Sequence, residues 1–195
     1  MRLKRSPQWL AVVAAGLLTM GTSALAQPAT SYEPKVGQPG KDVVWVPTPQ
    51  ALVDQMLDMA KVTPQDYLVD LGSGDGRTVI TAAKRGIKAH GIEYNADMTE
   101  LAKRNAVEAG VTDKATFVNG DIFQSDFSQA TVVTLFLLPG LNIRLRPTLL
   151  DMKPGTRVVS NSFDMGDWKA DKEERVESPR GTHTIYLWTI KKTDK

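Results

Sequence analysis

The chain has 195 residues, no cysteine, and a formal charge of +2 from 24 basic and 22 acidic side chains. That length suits one well-buried domain, and the lack of cysteine excludes disulfide frameworks and argues against a zinc site. Residues 1–26 hold Arg2, Lys4 and Arg5 and no acid, so the remainder sums to −1 and offers no concentrated basic face for a nucleic acid.

Along the chain, Met1 to Arg5 is basic, Trp9 to Met20 is apolar, and Ala24-Leu25-Ala26 is a small-x-small cleavage site before Gln27. This is the pattern of a secretory signal peptide, with an apolar core short of a membrane span. Pro28, Pro34 and Pro39 mark the following segment as a flexible arm. Thr48-Pro49 opens a predicted helix over 50–60, with threonine as cap and proline in the first turn. Leu52, Met56 and Met59 share its apolar face, a stripe read as core. Tyr67-Leu68-Val69 is a buried strand, Asp70 to Gly76 a glycine turn, and Thr78 to Lys84 an amphipathic helix. Strands over 89–93 and 116–119 flank a helix capped by Asp97 and stopped at Gly110. Val132 to Leu138 reads as a central parallel strand broken by Pro139-Gly140. A short helix over 142–150, a strand over 157–163 and a hairpin around Pro179-Arg180-Gly181 close the chain. There is no internal repeat.

The turn Asp70-Leu71-Gly72-Ser73-Gly74-Asp75-Gly76-Arg77 carries most of the chemistry. Glycines at alternate positions let the backbone turn sharply with a ligand against it, at the place where nucleoside cofactors sit in open α/β sheets. A dinucleotide fingerprint needs its third glycine one residue later, where Arg77 stands, and Asp75 would repel a pyrophosphate. This excludes a nicotinamide-dependent oxidoreductase. Gly72-x-Gly74-x-Gly76 after Asp70 resembles the first motif of the class I methyltransferases that use S-adenosyl-L-methionine, whose cationic ligand tolerates carboxylates. Glu93 ends the second strand beside the turn, where it can accept from both ribose hydroxyls. The resemblance places Asp121 on the adenine amino group and Ile122 against the purine face. The expected cofactor contacts are therefore Asp70, Gly72, Ser73, Gly74, Asp75, Gly76, Glu93, Asp121 and Ile122. The implied fold is α/β: a Rossmann-like seven-stranded sheet, mostly parallel with an antiparallel C-terminal strand, and helices on both faces.

A closer likeness rests on Val46-Pro47-Thr48-Pro49, residues 70–77, Thr131 to Pro139, Leu145-Arg146-Pro147 and Phe163 to Trp168. Over residues 44–168 the chain resembles a branch holding bacterial homologues and the lysine N-methyltransferases of the ATP synthase c-subunit. That implies methylation of a protein lysine, with a protein or small-molecule acceptor and no nucleic acid. Leu137-Leu138-Pro139 replaces the Asn/Asp-Pro-Pro-Tyr of enzymes that methylate nucleobases or glutamine, which makes Leu138 and Pro139 the substrate-side candidates. An apolar wall there suits a lysine stem and lowers the amine's pKa by desolvation; the end of a buried strand would read the same way. No residue stands out as a base, His90 and His183 are isolated, and no metal-ligand spacing appears.

The expected organisation is a signal peptide over 1–26, an arm over 27–43 and a methyltransferase domain over 44–195. Export separates the domain from a cofactor made inside cells. Three arrangements reconcile the two signals. The leader stays uncleaved and tethers the chain to the membrane, translation starts at Met20, or the exported fold is a non-catalytic binding domain for another ligand.

Overall fold

The computed structural model describes residues 32–192; the leader and cleavage site expected in residues 1–26 lie outside them. The described elements follow as α1 (Gln50–Met59), β1 (Tyr67–Leu71), α2 (Arg77–Lys84), β2 (Lys88–Glu93), α3 (Ala96–Glu108), β3 (Ala115–Asn119), β4 (Val132–Leu135), α4 (Pro139–Leu150), β5 (Arg157–Asn161), β6 (Lys172–Ser178) and β7 (Gly181–Thr189). They build a seven-stranded sheet in the order β3-β2-β1-β4-β5-β7-β6. The pairs β1–β2, β2–β3, β1–β4 and β4–β5 are parallel, and β7 runs antiparallel to both β5 and β6. The expected fold class, with its one reversed strand near the C-terminus, is the observed one.

Side chains alternate across a strand, and here the alternation separates two cores. Leu68 and Val132 face α1, α2 and α3, packing with Leu52, Leu57, Val79 and Ala102. Val69, Leu71, Val133 and Leu135 face the other way, against Leu145 and Leu149 of α4 and the buried Trp188. The methionines of α1 are core, as their spacing implies. On the first face Asp70 and Thr134 are register partners, so the alternation that buries Leu68 also buries a carboxylate two residues on.

Several boundaries differ from the sequence reading; β5, for one, ends at Asn161 rather than Phe163. Pro49, not Thr48, occupies the N-cap of α1, and no side chain caps that helix. Asn95 caps α3 by accepting from the Met98 N–H at 3.0 Å, while Asp97 lies in the first turn, where a negative charge complements the helix dipole. Strand β4 stops at Leu135 rather than Leu138, because its neighbour β1 ends at Leu71 and leaves the next residues nothing to pair with on that side. Pro139 does not delay the next helix; it begins α4, since proline's fixed φ and missing N–H suit a first helical position. Among the described residues no helix is long and apolar enough to cross a membrane.

Candidate functional site

Every parallel strand of the sheet delivers its C-terminal end to one edge, where a pocket opens. Strand order sets a row along that edge: Asp121 after β3, Glu93 at the end of β2, the glycine turn after β1, Phe136 after β4 and Phe163 after β5. All of them line the pocket.

The glycine turn is pinned before any ligand arrives. Gly72, Gly74 and Gly76 take φ of 76°, 54° and 83°, a left-handed conformation at every second residue that side chains disfavour. The N–H groups of Gly72 and Ser73 both donate to the Ile92 carbonyl, at 2.9 and 3.1 Å. Gly91 makes room for this: a Cβ there would lie 2.5 Å from Ser73 Oγ and 2.6 Å from the Phe117 ring. Gly76 does not line the pocket; it caps α2, with Phe117 and Ala102 packed where its Cβ would stand.

Each expected acid has a partner. Glu93 accepts from the Gly74 N–H through Oε2 and from the Asn95 N–H through Oε1, both at 2.9 Å, which joins the turn to the end of β2. Its carboxylate retains lone pairs for further donors. Asp75 is gripped by Arg77, whose Nε donates at 2.9 Å and Nη2 at 2.5 Å, and it also lines the pocket. Arg77 also donates to the Thr48 carbonyl at 2.8 Å, tying the turn to the segment before α1. Asp70 is buried and accepts the Thr134 hydroxyl at 2.6 Å. Burial, with the nearby charges of Glu93 and Asp75, pushes its carboxyl up to about 7, against the opposing hydrogen bonds of Thr134 and Thr78. Asp121 accepts from Lys41 Nζ at 2.6 Å and from the Phe123 N–H at 3.0 Å. The Lys41 ammonium first, and that N–H second, hold its carboxyl below the usual carboxylate range. Ile122 lines the pocket beside it.

Lys41 comes from a part of the chain that the sequence reading left as an arm. Residues 37–45 form a small hairpin, closed by Gly37 N–H to the Trp45 carbonyl at 2.8 Å and Trp45 N–H to the Gln38 carbonyl at 2.9 Å. The hairpin lines the pocket opposite the sheet edge, with Lys41 4.6 Å from the centre of the Tyr94 ring. Trp45 packs on the turn, its Nε1 2.8 Å from where a Cβ on Gly74 would be.

At the other end of the row the wall is apolar. Leu138 lines the pocket and is 46% exposed, whereas Pro139, at the start of α4, does not line it. Phe136, Leu141 and Phe163 complete this wall, and the two rings stack with centroids 6.1 Å apart. Sequence reasoning missed Lys41, Trp45, Tyr94, Phe136 and Phe163. Tyr94 and Phe136 each directly follow a strand end, which was a usable signal for pocket walls; nothing local marks Lys41 or Trp45. His90 and His183 lie outside the pocket lining.

The residues present suit a cationic nucleoside ligand. The row supplies carboxylate acceptors for an amine and a diol, an apolar side chain for a ring, a bare backbone turn, and the buried Ser73 hydroxyl with no protein partner. Comparison with known proteins agrees. The profile of the ANTKMT methyltransferase domain matches residues 70–172. A protein-lysine N-methyltransferase from Saccharolobus islandicus is 46% identical over 151 residues, covering 76% of this chain and 94% of that protein. The mouse lysine N-methyltransferase of the ATP synthase c-subunit is 38% identical over 105 residues, 53% of this chain but only 42% of the mouse protein. Among solved structures, one from Salinibacter ruber, described as an RNA methyltransferase in complex with S-adenosyl-L-homocysteine, is 50% identical with a TM-score of 0.72. It is matched over 75% of this chain and 95% of its own.

Proposed function

This chain belongs to the ANTKMT methyltransferase domain family, and from that footing we propose that it moves the methyl group of S-adenosyl-L-methionine to the side-chain amine of a lysine in a protein. The observation that carries the reading is the row along the sheet edge, polar acceptors at one end and an apolar aromatic wall at the other. Asp121 and Ile122 would hold the adenine, Glu93 the ribose hydroxyls, and Asp70 with the turn the amino-acid end. When bound, the cofactor supplies a methyl carbon on a positively charged sulfur, which is already a good leaving group.

The chain's own contribution is to place the acceptor and free its lone pair. In-line displacement needs the amine about 3 Å from the methyl carbon and on its axis. A free lysine has a pKa of about 10.4, and desolvation against Phe136, Leu138, Leu141 and Phe163 favours the neutral form. No histidine lines the pocket among the described residues, and Asp70, Asp75, Glu93 and Asp121 are already engaged. The amine's proton must leave before the new bond forms.

The description of the Salinibacter structure favours a second reading, an RNA acceptor. The balanced charge of residues 27–195 supports protein instead. Full-chain protein, methyl-labelled S-adenosyl-L-methionine and a bacterial extract decide between them. Label recovered as methyl-lysine after acid hydrolysis supports the proposal; label confined to RNA overturns it. We place the protein in the export pathway because of the leader motif, with methylation before export or by a membrane-retained chain. Fractionation with an antibody to the domain tests this: a purely soluble cytoplasmic chain beginning at Met1 would refute it.

A further inference from the structure

We propose that Phe136 and Phe163 form a recognition wall for the methylated head of the lysine product, which is a cation once the methyl group has been added; this rests on the lysine reading above. The two side chains lie just beyond the ends of the adjacent strands β4 and β5, on the side of the glycine turn away from Asp121 and Glu93. Their position in the row is therefore where an acceptor would meet the sulfur-bearing end of the cofactor. Both residues line the pocket, and their rings stack at an interplanar angle of 20°. Ring faces carry negative quadrupole density that attracts ammonium groups. Leu138 and Leu141 flank them as apolar surface for a four-carbon stem.

A second observation concerns how Phe163 is held. Ser162, the residue before it, has φ of 67°, a left-handed conformation unusual for a residue with a side chain. A part-buried polar cluster fixes that turn. Ser162 N–H donates to the Thr184 carbonyl at 2.8 Å, and Ser162 Oγ lies 2.8 Å from Asn161 Oδ1 and 3.2 Å from His183 Nδ1. The Phe163 carbonyl accepts from Ser160 Oγ at 2.6 Å and from Nδ2 of the fully buried Asn142 at 3.1 Å. This polar support converges on one phenylalanine that lines the pocket, and backbone strain held in this way is of the kind found at ligand clamps. Asn142 and Ser160 are positioning residues in this scheme; the ring makes the contact.

The test uses full-chain protein saturated with S-adenosyl-L-homocysteine. Two probes are titrated by calorimetry: N-acetyl-Nε-trimethyl-lysine amide and its neutral isostere with a tert-butyl head. A cation–π wall predicts roughly two- to fivefold tighter binding of the charged probe. Phe163→Leu and Phe136→Leu should erase that ratio, Phe163→Tyr should keep it, and affinity for S-adenosyl-L-homocysteine should stay within about twofold throughout. Equal binding of the two probes by the natural protein, no binding of either, or an unchanged ratio in both leucine variants would overturn the wall. Failure of the natural protein to bind S-adenosyl-L-homocysteine at all would instead overturn the methyltransferase reading on which it rests.

Discussion

Asp70→Asn should change how stability depends on pH, by an amount that follows from where the carboxyl sits. Folding moves this group from an ordinary value of 3.8 to about 7, chiefly by burying it on the α1–α2 face of the sheet. Between those values the folded chain keeps a proton that the unfolded chain has lost. The contribution is therefore fully present below pH 3.8 and disappears as pH rises through 7. At 1.36 kcal/mol per unit, the loss across the window is about 4 kcal/mol. Asparagine is nearly isosteric, can still accept the Thr134 hydroxyl, and does not titrate. Asp121, held below the usual range, titrates below this window, and His90, lowered by burial, cancels between the two proteins. Urea unfolding of the ligand-free protein and the variant from pH 4.5 to 8.5 gives the difference directly. The variant should gain on the natural chain with rising pH, until it is the more stable by up to about 4 kcal/mol above pH 8. A difference that stays constant with pH would refute the burial argument. The same ionisation should link to ligand binding, since the amino group of S-adenosyl-L-homocysteine favours charged Asp70. Its affinity should rise through pH 7 in the natural protein and stay flat in the variant.

Glu93→Ala would strand the N–H groups of Gly74 and Asn95 and remove the proposed ribose acceptor. Calorimetry should show S-adenosyl-L-homocysteine binding weakened by about 1–3 kcal/mol, and equal affinity would take Glu93 out of the site. Gly91→Ala drives a methyl group into Ser73 and Phe117, so denaturant unfolding should show a loss of about 1–3 kcal/mol, with the turn displaced and ligand affinity reduced. A neutral result there would mean that the turn can shift away from β2 freely. Lys41→Met frees Asp121 for the adenine amine, so ligand affinity should rise; in the natural protein it should also rise with salt as the ion pair is screened. A fall in affinity would show that Lys41 grips the ligand rather than competing with it.

What the sequence determined alone is the part of the site that is local in the chain. The spacing of Gly72, Gly74 and Gly76, and the acids at successive strand ends, carried the resemblance that implied the fold and the cofactor, because a backbone turn and a strand terminus are short-range events. The single reversed strand was likewise legible from a hairpin pattern. Boundaries went astray where pairing decides: an apolar run through Leu138 cannot reveal that β4 loses its β1 neighbour after Leu135. The tertiary structure alone decided which groups meet across distance. Lys41 reaches Asp121 over 80 residues, Arg77 reaches the Thr48 carbonyl over 29, and Phe136 finds Phe163 beyond the end of the neighbouring strand. Asp70 shows the same division: its place before the glycines puts it at the pocket, but its raised pKa comes from burial, which only the folded sheet imposes. Contacts of this kind depend on strand order and side-chain alternation, and no window of neighbouring residues contains either.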